Sequence, residues 1–174
     1  VTEMITGKDL VKEQIQIAEG KPLSFSQEDL KINGHSIELR VYAEDPNNNF
    51  LPDIGTLDTY QVPTGDGVRV DDGFDEGMEI PIYYDPMIAK LIAHAENRDA
   101  AIQKLLNAID DYKIEGVKTT LGFGKFVLNH PAFISGDFDT KFVDNYFHPT
   151  NINQKELKMA SIMAASLYAQ FNKK

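Results

Sequence analysis

Arg40 is the residue whose type and setting lend themselves most readily to chemistry. It lies in the stretch HSIELRVYAEDP, between Glu38 and Tyr42. A guanidinium keeps its charge at any relevant pH and presents a planar fork of donors. Two roles are open to it: an ion pair with Glu38, Glu44 or an acid on a neighbouring strand, or a donor to an anion or a developing oxyanion. Spacing alone does not choose between them.

The other chemistry-bearing groups read more plainly as structure. Asp71, Asp72, Asp75 and Glu76 lie close together, but they miss the alternating ligand positions and terminal Glu of a calcium loop and read as a solvated turn. His35, His94, His130 and His148 are far apart and match no metal-ligand spacing, so no metal site is expected. LGFGK at residues 121–125 has glycines and a lysine without the spacing of a phosphate-binding loop. YYDP, Tyr83 to Pro86, reads as a packed turn before a strand, with an interface or site as the alternative.

The elements that must position these residues can be read from periodicity. In HSIELRVYAEDP, Ile37, Leu39, Val41 and Ala43 fall on one face and Ser36, Glu38, Arg40, Tyr42 and Glu44 on the other, the alternation of a half-buried strand. Further strands are expected over Gly55 to Val62, Val68 to Asp71 and Met87 to Ala95, and their short connections favour antiparallel pairing. Thr6 and Asp9 suggest a capping box for one opening helix, which Gly20 and Pro22 stop. Asn97 caps a helix that carries Ile102, Leu105, Leu106, Ile109 and Tyr112 on one stripe and stops at Gly116. Leu121 to Asn129, ended by His130 and Pro131, and Lys141 to Tyr146 are shorter helices. Asn153 and Glu156 cap a last one, with Leu157, Ala160, Ala164, Leu167, Tyr168 and Phe171 as its stripe. The fold class is therefore α+β, a small antiparallel sheet flanked by helices.

Composition sets the bounds. The 174 residues suffice for one domain with a core, and 42% hydrophobic with 25% charged residues is ordinary globular usage. A net charge of −10, from 27 acidic against 17 basic residues, argues against nucleic acid as a partner. With no Cys, disulfides, Cys-ligated zinc and thiol catalysis are excluded. No apolar run reaches the roughly 18 residues of a membrane span, and no export signal opens the chain, so a cytoplasmic location without membrane contact is expected. The start at Val1 suggests a piece of a longer polypeptide.

The order of motifs adds a resemblance. VTEMITGKDLVKEQIQIAEGKPL, INGHSIELRVYAEDP, FLPDIGTL, GDGVRVDDG, PIYYDPMIAKLIAH and IEGVKTTLGF follow one another as in the C-terminal third of biotin carboxylases, ATP-grasp enzymes that carboxylate biotin. The resemblance runs from Val1 to about Phe147 and includes FDTKF at residues 138–142. It implies that 1–22 is the end of the ATP-grasp domain, 23–147 the biotin carboxylase C-terminal domain, and 148–174 a C-terminal helix or linker. DPNNNF carries one Asn more than the family pattern, at a turn that tolerates insertion.

The resemblance also implies roles. The Arg of the family's H-x-x-E-x-R-x-x-A-E-D-P motif falls on Arg40, implying that it stabilises the ureido oxygen of biotin and helps to place bicarbonate. Thr140 matches a position near the nucleotide base. Arg69 and Asp85 match positions at the dimer interface of bacterial members. The family's Gly-rich loop, its magnesium and bicarbonate ligands and its general base precede the first block, so ATP and Mg2+ are expected to be held mainly outside this chain, which would be inactive alone. Implied partners are a biotin carboxyl carrier protein or domain, a carboxyltransferase, bicarbonate and a second copy in a homodimer. A different ATP-grasp ligase with a similar lobe, and a dimerisation module, remain the alternatives.

Overall fold

The computed structural model describes residues 1–81, 83–149, 162 and 168. The chain opens with two helices, α1 (Thr2–Thr6) and α2 (Leu10–Ala18), where one was expected. Gly7 breaks them apart by entering the left-handed region at φ 68°. Thr6 ends α1, donating its hydroxyl to the Thr2 carbonyl, so Asp9 alone caps α2 by accepting from the Lys12 N–H at 2.9 Å.

The remaining elements are β1 (His35–Tyr42), β2 (Glu44–Asp45), β3 (Leu51–Pro52), β4 (Thr59–Gln61), β5 (Val68–Asp72), β6 (Met87–Ala95), α3 (Arg98–Asp111), β7 (Lys113–Glu115), α4 (Leu121–Asn129), α5 (Pro131–Ser135) and α6 (Phe142–Tyr146). Three antiparallel strands form the main sheet in the order β1-β6-β5, and β2 with β3 and β4 with β7 form two short pairs.

Alternation in β1 sends Ile37, Leu39 and Val41 inward, where they meet Ala93, Leu91 and Ala89 of β6. Helix α3 lies against this inner face with Ile102, Leu105 and Ile109 buried. Helix α4 follows closely because Gly124 has no side chain: a Cβ there would stand 2.5 Å from Leu39 Cδ2. The glycines of LGFGK thus include one that serves packing. Phe126, His130, Phe142 and Tyr146 pack edge-on or tilted at the end of this helical layer.

Several boundaries differ from the sequence reading. The strand expected over Gly55 to Val62 is reduced to β4, and Thr56 only bridges to Glu79. Helix α3 ends at Asp111 instead of continuing to Gly116, because Lys113–Glu115 pairs with β4. Pro131 does end α4, but it also opens α5, for which the His130 Nδ1 accepts from the Ala132 N–H at 3.2 Å. YYDP is not packed: Tyr83 and Tyr84 are 83% and 80% exposed. Asn49 and Phe50, at the turn with the additional Asn, both adopt left-handed backbone, at φ 58° and 57°. Such backbone in a bulky residue costs about 1–3 kcal/mol; here the Phe50 ring is held 5.1 Å from that of Phe123. The helix expected beyond Asn153 lies outside the described residues.

Candidate functional site

The alternate residues of the same strands build the outer face. Register places Glu38 beside Ile92 and Arg40 beside Lys90, while Arg69 and Asp71 of β5 flank Ile92 and Lys90 from the other side. Two rows therefore run across the sheet, Glu38-Ile92-Arg69 and Arg40-Lys90-Asp71. Helices α1 and α2 border a cleft of about 320 Å3 here, lined by Glu3, Glu38, Arg69, Asp71 and Lys90 among others.

Arg40 reaches outward and is not locked to an acid. Its side chain is 61% exposed, and its one ion pair among the described residues, Nε to Glu38 Oε1, is long at 3.4 Å. Tyr42 first and Glu38 second hold the guanidinium pKa above its ordinary value. A fixed positive charge thus stands at the open end of the face, with its donors largely available to an anionic oxygen. Lys90, directly opposite, has no ion-pair partner among the described residues.

Arg69 is spent differently. Its Nη1 meets Glu3 Oε2 at 2.6 Å and its Nε meets Asp71 Oδ1 at 2.6 Å, so it ties α1 to β5. Asp71 and then Glu3 raise its pKa further above an already high value. Asp85 accepts from the Met87 N–H at 3.1 Å and so shapes the entry to β6. Met87 and Ile92 are five positions apart in β6, about 17 Å at ~3.4 Å per residue, so Asp85 and Arg69 are not brought together. Thr140 is exposed in the connection between α5 and α6. Its neighbour Phe138 packs on Phe133 and Phe142 in the helical layer, away from the face that carries Arg40.

The remaining candidates take structural places. Asp72 accepts from the Tyr60 hydroxyl and Glu76 from the Tyr60 N–H. His94 bonds the Asn33 carbonyl oxygen, and His35 stands 3.4 Å from Arg98. Among the described residues no three His, Cys, Asp or Glu are grouped to hold a metal ion. The outer face fits a neutral or anionic oxygen acceptor at Arg40; it offers no carboxylate cluster for Mg2+.

Sequence reasoning passed over two residues near Arg40. Lys90 was signalled by being one of two polar residues in MIAKLIAHA, in phase with the outer face. Thr120 carried no such signal. It lies eighty positions from Arg40, yet its hydroxyl donates to the Arg40 carbonyl at 3.0 Å.

Comparison with known proteins agrees with this fold. Residues 38–145 match the biotin carboxylase C-terminal domain. Biotin carboxylase 1 of Bacillus subtilis is 48% identical over 146 residues, covering 84% of this chain and 32% of that protein. The mitochondrial propionyl-CoA carboxylase alpha chain of Homo sapiens is 43% identical over 177 residues, covering 98% of this chain and 24% of that one. The biotin carboxylase domain dimer of Hydrogenobacter thermophilus 2-oxoglutarate carboxylase, solved with MgADP, ADP and bicarbonate, superposes with a TM-score of 0.83 at 46% identity. That superposition covers 86% of this chain and 33% of the other. The chain spans about a third or less of the length of each of these relatives. By sequence and by fold, it belongs to the biotin carboxylase C-terminal domain family.

Proposed function

We propose that this chain is the C-terminal lobe of a biotin carboxylase and that Arg40 is the residue through which it takes part in the chemistry. Residues 1–22 would belong with the ATP-grasp domain, 23–147 form the lobe proper, and 148–174 lead onward. The observation that carries the reading is an arginine held mid-strand on an open face, charged at all pH values and only loosely paired. Exposure of Val11, Ile15 and Ile17 on α2, at 61%, 57% and 52%, supports its packing against another part of a larger enzyme.

Biotin on a carrier protein or domain supplies the nitrogen that accepts the carboxyl group, and ATP, Mg2+ and bicarbonate supply that group in activated form. Arg40 acts on the oxygen next to that nitrogen. Proton removal from the nitrogen pushes charge onto this oxygen, and a guanidinium already in place stabilises it without reorganising. Loss of one such donor costs typically about 2.7–4 kcal/mol of transition-state stabilisation. ATP and Mg2+ are assigned to other residues of the carboxylase. Arg69 and Asp85 are assigned to the interface of a homodimer, Thr140 to the neighbourhood of the nucleotide base, and a carboxyltransferase to the later use of the carboxyl group. A cytoplasmic site of action completes the reading.

The test is Arg40→Ala in the complete carboxylase. Biotin carboxylation should fall by roughly 100-fold or more with thermal stability retained. Near-normal turnover would refute the assignment. The 174-residue chain by itself should show no bicarbonate-dependent ATP hydrolysis, and robust hydrolysis would refute the division of labour.

A further inference from the structure

We infer that Thr120 is a positioning residue for Arg40, fixing the backbone from which the guanidinium projects; this rests on the reading of Arg40 given above. Among the described residues strand β1 is at the edge of its sheet, paired only with β6. An edge strand presents carbonyls and amides that no neighbour satisfies. At Arg40 and Tyr42 a single residue takes the neighbour's place. The Thr120 hydroxyl accepts from the Tyr42 N–H at 3.0 Å and donates to the Arg40 carbonyl at 3.0 Å. Its own N–H donates to the Tyr42 carbonyl at 3.1 Å. Thr120 is 5% exposed, so water competes little for these bonds.

The register of β1 against β6 shifts between Val41 and Tyr42. A bulge at that point bends the strand and re-aims the adjacent side chains, so the direction of Arg40 depends on what holds the backbone there. Its side chain does not do so, being mostly exposed, with a long 3.4 Å ion pair to Glu38 and Tyr42 beside it. Thr120 is itself anchored two residues upstream. The Lys118 N–H donates to Asp53 Oδ2 at 2.5 Å, and Lys118 Nζ meets the largely buried carboxylate of Asp45 at 2.6 Å. From the inner face, Gly124 of α4 presses on Leu39, the residue before Arg40. The block IEGVKTTLGF thus acts as a brace on the strand that carries the guanidinium. Threonine suits the place because one hydroxyl can accept and donate together; valine, of the same shape, can do neither.

The experiment compares Thr120→Val, Thr120→Ser, Arg40→Ala and the double variant Thr120→Val/Arg40→Ala in the complete carboxylase. Misplacing a charge near a reacting atom by a fraction of an ångström should lower kcat for biotin carboxylation by about 10-fold in Thr120→Val. KM for ATP should stay as in the parent. Thr120→Ser should recover most of the loss, and Thr120→Val should add less than about two-fold on the Arg40→Ala background, as expected of residues acting through one another. If valine does not fold, Thr120→Ala, which also lacks the hydroxyl, should show the same split. A normal kcat in Thr120→Val or Thr120→Ala while Arg40→Ala is crippled overturns the inference, as does a raised KM for ATP or a full additional loss on the Arg40→Ala background. Near-normal turnover in Arg40→Ala overturns instead the reading on which it stands.

Discussion

The two faces of the β1-β6-β5 sheet are made from alternate residues of the same strands, yet they are built to different ends. On the inner face Val41, Leu91 and Ala93 are wholly buried, and α3 and α4 lie over them. On the outer face Glu38, Arg40, Lys90, Arg69 and Asp71 form a charged surface that α1 and α2 only border. Removing atoms from the inner face leaves a cavity and unmade dispersion contacts. On the outer face the same removal changes a field and leaves the packing alone. Stability should reside on one side of the sheet, and chemistry on the other.

The largest expected effect tests that division directly. Leu91→Ala, at the centre of the inner face, should cost about 2–5 kcal/mol in urea unfolding. Arg40→Ala, one strand away, should stay within about 0.5 kcal/mol of the parent. A comparable loss in both would mean that the outer face also holds the fold together.

A smaller effect sharpens the comparison where polar groups do enter the packed side. The Tyr60 hydroxyl donates to Asp72 at 3.0 Å, so its 2.7 Å contact with the Tyr112 hydroxyl has Tyr112 as donor. Tyr112 is 5% exposed. Tyr60→Phe leaves that buried hydroxyl without its acceptor and should cost about 1–3 kcal/mol. Burial raises both phenols, that of Tyr112 up to about 12. The folded chain thus keeps protons that the unfolded chain releases from about pH 10 upward, and the associated stability declines as pH rises past that point. Thermal scans of the parent above pH 10 should show a falling Tm, with a shallower fall in Tyr60→Phe.

These contrasts also explain what could be read in advance. Met87–Ala95 and Leu121–Asn129 have the bounds expected from sequence, and β1 begins at His35 as expected. β1 alternates and the other two are apolar runs with sharp stops, so local pattern and final packing agree. Helix α1 was missed because it is only one turn long and ends at a glycine inside an otherwise plausible helical start. Strand β7 was missed because pairing with β4 across more than fifty residues overrides the helical pattern that precedes it. The same holds at the site. Placing Arg40 on the polar phase needs only alternation, whereas its support by Thr120 and Lys118 depends on chain closure that no local period records.

The smallest effect concerns Arg69, where the outer face turns structural. Its contact with Glu3 joins α1 to β5 while that with Asp71 stays within β5, and it is 42% exposed, so solvent screens both. An exposed pair of this kind contributes at most about 1 kcal/mol, and Arg69→Ala should barely move global unfolding. Its effect should be local: amide exchange in Thr2–Thr6 should quicken while that of β6 stays unchanged. The pH dependence has a definite sign. Arg69, and then the Leu10 N–H, hold the Glu3 carboxyl below its ordinary value. The contribution is therefore present above the unfolded pKa of about 4.3 and is lost as pH falls through the lower folded value. Protection of α1 in the parent should decline over that acid range, and in Arg69→Ala it should already be low at pH 7. Sedimentation of the same variant in the complete carboxylase separates this use of Arg69 from the one proposed for it at a dimer interface. Dissociation of a dimer alongside faster exchange in α1 would show that the residue serves both, whereas an intact dimer would confine it to holding the first helix on the sheet.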